Sequence, residues 1–339
     1  MGDFRIGVIG AGRIGAAHAR SITYNIPRAS VAAVSDPVVE RARTLAAELG
    51  IPAAAADYDD ILSDRSIDAV FVCSPTDTHA GVCIEAARVG KHIFCEKPVD
   101  LTIEKILAVK DAAERAGVQL QVGFNRRFDH NHARVRGLVA GGAIGKVEIV
   151  KITSRDPAPP SPEYAASSGG LFIDMMIHDF DMASFQAGSP IVEVYAQGAS
   201  LVDPAIGRAG DVDTAIVMLK FESGALGVID NSRRAAYGYD QRVEVFGEKG
   251  MAASGNDTDT SVSLSVGSGV ITDKPRYFFL ERYMASFTEE ARQFVEACVT
   301  GKPVPVNVDD ALLPVIAAKA AKLSLDERRP ARCAEIWKP

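Results

Sequence analysis

Two places in this sequence carry residues suited to moving a proton. Glu96-Lys97-Pro98 closes the apolar run His92–Cys95. A lysine at the mouth of a buried sheet is partly desolvated, which weakens its hold on the proton and suits it to hydrogen-bond a reacting oxygen. On this motif alone, a surface lysine at a strand end explains the residue better. The segment Gly169-Gly170-Leu171-Phe172-Ile173-Asp174-Met175-Met176-Ile177-His178-Asp179-Phe180-Asp181 changes that balance. On a helix, Asp174, His178 and Asp181 fall at i, i+4 and i+7 and share one face. Ile173, Met176, Phe180 and Ala183 lie on the other side and can pack. Two carboxylates and a histidine gathered along one stripe are odd if purely structural. His and Asp are metal ligands too, but a zinc centre needs more His or Cys than this segment holds, so no metal is expected.

A second chemistry is written at the start of the chain. Gly10-Ala11-Gly12-Arg13-Ile14-Gly15 is a GxGxxG that directly follows the strand-like run Arg5–Ile9 and opens a helical stretch. In that context Gly10 allows the tight turn, Gly12 lets backbone approach a pyrophosphate, and Gly15 permits close helix–strand packing. The free N–H groups of the helix start then meet the phosphate charge. Asp36 stands 21 residues past Gly15, at the end of the next strand-like run. A carboxylate there accepts from both hydroxyls of an adenosine ribose and repels a 2′-phosphate, so the expected cofactor is NAD rather than NADP. Ser74, Pro75 and His79 follow the run Ala69–Cys73, at the carboxyl end of a strand where ligands bind in a doubly wound sheet. His79, at a helix start, reads as packing or capping rather than catalysis. The cofactor-binding set is thus Gly10, Gly12, Arg13, Ile14, Gly15, Asp36, Ser74, Pro75, His79, Glu96 and Lys97.

These positions need a scaffold. Over the first 125 residues, apolar runs (Arg5–Ile9, Ala29–Ser35, Ala69–Cys73, His92–Cys95, Gln119–Phe124) alternate with helical stretches such as Val39–Leu49 and Thr102–Ala116. Strands apolar on both faces and separated by helices predict a Rossmann-type doubly wound parallel sheet. Beyond that point Val147–Ser154, Ile191–Ala199, Thr214–Phe221, Ala225–Asn231 and Arg242–Phe246 are strand-like, several without helices between them. That pattern predicts an α+β domain with a largely antiparallel, open-faced sheet. The expected division is 1–124 for NAD binding and 125–339 for substrate binding and oligomerisation. Residues 252–270 are polar and turn-rich, suited to surface loop and short strands.

The chain has 339 residues, 47% of them hydrophobic and 24% charged, as in a soluble globular protein with sizeable cores. A net charge of −7 argues against nucleic acid or an anionic membrane as partner. The arginine pairs Arg126-Arg127, Arg233-Arg234 and Arg328-Arg329 are too short and scattered for a basic stripe. The five cysteines show no metal spacing, and three of them fall in apolar runs, which predicts small buried thiols. With no leader-like segment and no long apolar stretch, a cytoplasmic protein is expected.

The series GxGxxG with Asp36, Glu96-Lys97-Pro98, and Gly169-Gly170…Asp174…His178-Asp179 resembles that of the glucose–fructose oxidoreductase/inositol dehydrogenase family, over essentially the whole chain. Gly123-Phe124-Asn125-Arg126-Arg127-Phe128-Asp129, Ile177–Met182 and Tyr237–Gln241 are similar to its inositol-oxidising members. The resemblance implies a Lys97, Asp174, His178 catalytic group and a ring polyol as substrate, with myo-inositol expected and another cyclitol or an aldose as the alternative; a non-catalytic NAD-binding regulator is a more distant reading, since all three residues are present. It also implies that Arg126, Asp156 and Tyr237 line the substrate pocket together with Lys97, Asp174 and His178, with Arg127 as substitute for Arg126. Subunits are expected to pair through the open sheet face, often as dimers of dimers.

Overall fold

Short runs of β-branched and aromatic residues, buried on both faces, build the first sheet. The structure, a computed structural model, describes residues 4–161 and 168–338. Strands β1 (Phe4–Ile9), β2 (Ala29–Ser35), β3 (Ala53–Ala55), β4 (Ala69–Val72), β5 (His92–Glu96) and β6 (Leu120–Gly123) lie in the order β3-β2-β1-β4-β5-β6. Every pairing is parallel. Helices α1 (Arg13–Asn25), α2 (Val39–Leu49), α3 (Asp59–Ser63), α4 (Thr76–Arg88) and α5 (Ile103–Ala116) supply the crossovers. The strand order reverses direction between β1 and β4, and the loops leaving their carboxyl ends carry Gly10 and Ser74.

The chain divides into two compact units, Met1–Phe128 with Met284–Leu312 and Asp129–Tyr283 with Leu313–Pro339. A single boundary at 124 does not provide for the return of Met284–Leu312, which has a packing cause. Phe71 and Phe94 stack with ring centroids 4.5 Å apart, and Phe294 meets them edge-on at 5.5 and 5.8 Å. Burying one such ring contributes about 1.5–3 kcal/mol, so the sheet face is completed by a segment far along the chain. The Val122 N–H donates to the Val306 carbonyl at 3.0 Å, and Lys110 Nζ pairs with Asp309 at 2.6 Å, fixing the same return.

In the second unit β7 (Val147–Arg155), β8 (Ile191–Ala199), β9 (Thr214–Phe221), β10 (Leu226–Ser232), β11 (Asp240–Gly247) and β12 (Gly250–Ser254) join β15 (Ala331–Arg332) in one sheet. The order is β12-β11-β7-β10-β9-β8-β15. All pairings are antiparallel except β7 with β10, so the sheet is mixed. Helix Ile177–Ala187 packs on β7 and β8. The opposite face stays open: in β9, Ala215, Val217, Leu219 and Phe221 are buried while Ile216 is 54% and Met218 59% exposed. Strands β13 (Ser263–Val266) and β14 (Gly269–Thr272) form a separate exposed hairpin within the turn-rich tract. All five cysteines are free, Cys83 and Cys95 buried and the others half-buried. Among the described residues no helix is long and apolar enough to cross a membrane.

Candidate active site

β1 delivers the chain to Gly10, where φ is +99°. A Cβ on Gly10 would lie 2.6 Å from the Cys73 carbonyl oxygen, and one on Gly15 only 1.8 Å from the Gly10 carbonyl oxygen. Both contacts require glycine, because the atoms met are backbone. A Cβ on Gly12 would meet nothing within 4 Å, so this is the open side of the turn. α1 starts there with no capping side chain and no acidic residue in its first turn, and Arg13 and Ile14 form its first residues. Uncapped N–H groups facing open space suit a pyrophosphate. Asp36 ends the second strand and is buried; its Oδ2 accepts from the Ala11 N–H at 3.0 Å and its Oδ1 from the Val38 N–H at 2.9 Å. The carboxylate expected to meet the ribose thus also braces the glycine turn. These features fit a bound NAD.

Pro75 caps α4, and Ser74 Oγ lies 2.6 Å from Thr78 Oγ1. His79 is only 2% exposed, with Nδ1 2.8 Å from the Pro98 carbonyl oxygen and Nε2 2.8 Å from that of Ser74. Its ring lies between the carbonyls of two loops, the packing position expected of it at a helix start. Glu96 is also turned inward. Its Oε1 lies 2.8 Å from His18 Nε2 and its Oε2 accepts from the Lys97 N–H at 3.3 Å. A Cβ on Gly123 would come within 3.1 Å of this carboxylate. Glu290 Oε1 stands 3.9 Å from His18 Nε2, and neither of its carboxylate oxygens has a hydrogen-bond partner among the described residues. Burial, reinforced by Glu96, pushes the Glu290 carboxyl well above the usual carboxylate range. The backbone of half-buried Lys97 is therefore anchored from beneath by Glu96 and His18. His18 and Glu290 were not singled out from the sequence, where each looks like an ordinary helix residue. Arg127 pairs with Asp310 at 3.3 Å, and Arg126 is buried in the turn Asn125–Phe128.

In the second unit the expected single helical stripe is broken. One helix, Gly170–Asp174, ends at Asp174, and a second, Ile177–Ala187, begins just before His178. Both the Met175 and Met176 N–H groups return to the Leu171 carbonyl, at 3.1 and 2.9 Å, and this double use resets the helix axis. The start is pinned by Asp211, whose carboxylate accepts from the Leu171 N–H at 3.0 Å. Asp181 is buried in the core, and Asp179 accepts from Asn231 Nδ2 at 3.0 Å. Asp174 and half-buried His178 thus come from two helices rather than from one face.

Because β7 and β10 run parallel, Asp156 and Arg233 leave the sheet at the same end, where the Asp156 N–H donates to the Ser232 carbonyl at 2.9 Å. Arg233 Nη2 donates to Asp174 Oδ2 at 3.1 Å, and its Nη1 lies 3.9 Å from Asp156 Oδ2. Arg233 therefore gathers two expected site carboxylates, a role invisible in the bare Arg233-Arg234 pair. Tyr237 sits in a neighbouring network: its hydroxyl donates to Asp240 Oδ2 at 2.5 Å and accepts from Arg155 Nη1 at 3.2 Å. Partial burial and Asp240 raise its phenol pKa.

Residues 4–124 match the family model described as GFO/IDH/MocA oxidoreductase, NAD-binding Rossmann fold, and residues 132–253 match the GFO/IDH/MocA C-terminal domain. The myo-inositol 2-dehydrogenase of Thermotoga maritima is 47% identical, covering 98% of this chain and 99% of its own. The inositol 2-dehydrogenase of Rhizobium meliloti is 43% identical, covering 96% and 98%. The crystal structure of scyllo-inositol dehydrogenase from Lactobacillus casei with bound NAD(H) and scyllo-inositol is similar with a TM-score of 0.91 at 31% identity. That likeness covers 98% of this chain and 99% of that one.

Proposed function

The chain belongs to the GFO/IDH/MocA oxidoreductase family, and from that premise we propose that it is an NAD-dependent dehydrogenase oxidising myo-inositol to 2-keto-myo-inositol (scyllo-inosose). The observation that carries this reading is the full-length likeness to myo-inositol 2-dehydrogenase in a chain that has Lys97, Asp174 and His178. Bound NAD supplies the hydride acceptor at its nicotinamide C4. Gly12 and the uncapped start of α1 would hold the pyrophosphate, Gly10 and Gly15 shaping the turn, and Asp36 would hold the adenosine ribose. His178 takes the proton of the reacting hydroxyl while Lys97 donates a hydrogen bond to the same oxygen. Asp174 holds the substrate and the protonation state of the His–Lys pair. Arg126, Asp156 and Tyr237 take the neighbouring hydroxyls, Tyr237 only after its hydroxyl leaves Asp240. A site of this kind rejects a ring lacking one hydroxyl, because its own polar groups would be left unpaired. A cytoplasmic setting fits the use of NAD.

Rates of NADH formation with a panel of cyclitols and aldoses test the substrate. The largest kcat/KM is expected with myo-inositol. A preference for scyllo-inositol, the ring named for the Lactobacillus casei enzyme, would replace it with a second reading. Turnover of aldoses alone would overturn both, and no turnover at all would leave a non-catalytic NAD-binding protein.

The open sheet face supports a further part of this reading, self-association. Ile149, Ile216, Met218, Leu226, Phe246 and Met251 are each at least 41% exposed on β7, β9, β10, β11 and β12. Contiguous apolar surface beyond a few hundred Å² is unusual on a monomer, and symmetric pairing is its common resolution. Light scattering at micromolar concentration is expected to give a dimer or tetramer. A single 36.0 kDa species would contradict this.

A further inference from the structure

We propose that Arg233 is a positioning residue of the reaction, fixing through its guanidinium where the Asp174 carboxylate points and how far it stands from Asp156. The inference rests on the reading of Asp174 given above. Arg233 is 2% exposed and sits just past the end of β10, with its backbone N–H donating to the Asp213 carbonyl at 2.9 Å. Asp213 is itself held by the N–H groups of Leu201, Val202 and Asp203, so the main chain under Arg233 is anchored. From this base Nη2 reaches Asp174 Oδ2 at 3.1 Å, and Nη1 stands 3.9 Å from Asp156 Oδ2. The first contact is a hydrogen-bonded ion pair. The second is an ion pair too long for a direct hydrogen bond.

Why arginine stands here follows from the break after Asp174. Asp174 is the last residue of a five-residue helix, so its carboxylate stands where the regular backbone ends. A guanidinium is always charged, planar and forked, so it sets direction as well as supplying countercharge. Its Nε has no hydrogen-bond partner among the described residues, a cost that the fold tolerates while keeping the fork on the two carboxylates. A lysine would keep the charge but lose the fork.

Arg233→Gln and Arg233→Lys, each made in the full chain, test the inference. Melting temperature and NADH binding serve as controls. For Arg233→Gln, kcat with the polyol is expected to fall by about 10²-fold, the scale on which misplaced reacting groups cost rate. The pH–rate profile should move, and KM for NAD should stay unchanged. Arg233→Lys should recover part of kcat and carry the test if the glutamine variant does not fold. In the pair Arg233→Gln/Asp174→Asn, the losses should overlap rather than multiply, because both act through one carboxylate. Wild-type kcat and pH profile in a folded Arg233→Lys or Arg233→Gln variant, beside an impaired Asp174→Asn, would overturn the inference alone. An unimpaired Asp174→Asn would overturn the reading of the site together with it.

Discussion

Replacing His178 by alanine is expected to lower kcat with myo-inositol by about 10²–10⁴-fold, the usual contribution of a positioned base. NADH binding, followed by fluorescence, should hardly change. The glycine turn and Asp36 lie in the first unit and His178 in the second, so loss of the imidazole leaves the cofactor cradle intact. His178 is half-buried in the first turn of its helix, and its main chain is held by the Met175 carbonyl at 3.4 Å whatever its side chain. A histidine that only filled space would give the opposite pattern, a lower melting temperature with unchanged kcat. Lys97→Ala should also depress kcat and should shift the pH–rate profile. Wild-type turnover in both variants would sink the assignment.

Cofactor choice is the second large effect. NAD should be preferred over NADP in kcat/KM, and Asp36→Ser or Asp36→Ala should narrow the gap. Hydrogen bonds to a charged group contribute about 1.5–3 kcal/mol, so kcat/KM for NAD should drop by about 10- to 100-fold. Part of this loss has a cause that the ribose contact alone would not give. Asp36 Oδ2 also accepts from the Ala11 N–H, and without it the turn between Gly10 and Gly12 loses a brace. Asp36→Asn, which can still accept at one atom, should therefore lose less for NAD than Asp36→Ala. Comparable use of NADP by the wild-type protein would show that the carboxylate does not exclude a 2′-phosphate.

Where burial is set locally, the sequence was legible. The strands Ala29–Ser35, Ile191–Ala199 and Thr214–Phe221 and the helix Val39–Leu49 have the expected bounds, since a continuous apolar run marks the first and an apolar period the others. The glycine turn was legible because its spacing is dictated by backbone contacts that no side chain can satisfy. What escaped depends on distant chain. The helix Gly170–Asp174 is pinned at its start by the distant Asp211, while Met175 and Met176, at the break, have good helix propensity and do not announce it. Glu290 looks like a surface glutamate until Phe294 carries its helix onto the first sheet. Arg233 acquires meaning only once β10 pairs with β7 in parallel, a pairing that no short-range pattern announces.

Hydride transfer from a cyclitol carbon is tested most directly with myo-inositol deuterated at C2 and NAD, analysing both products by mass spectrometry. The account predicts deuterium in the reduced nicotinamide and an equal amount of 2-keto-myo-inositol. Unlabelled NADH, or oxidation at another ring carbon, would contradict it.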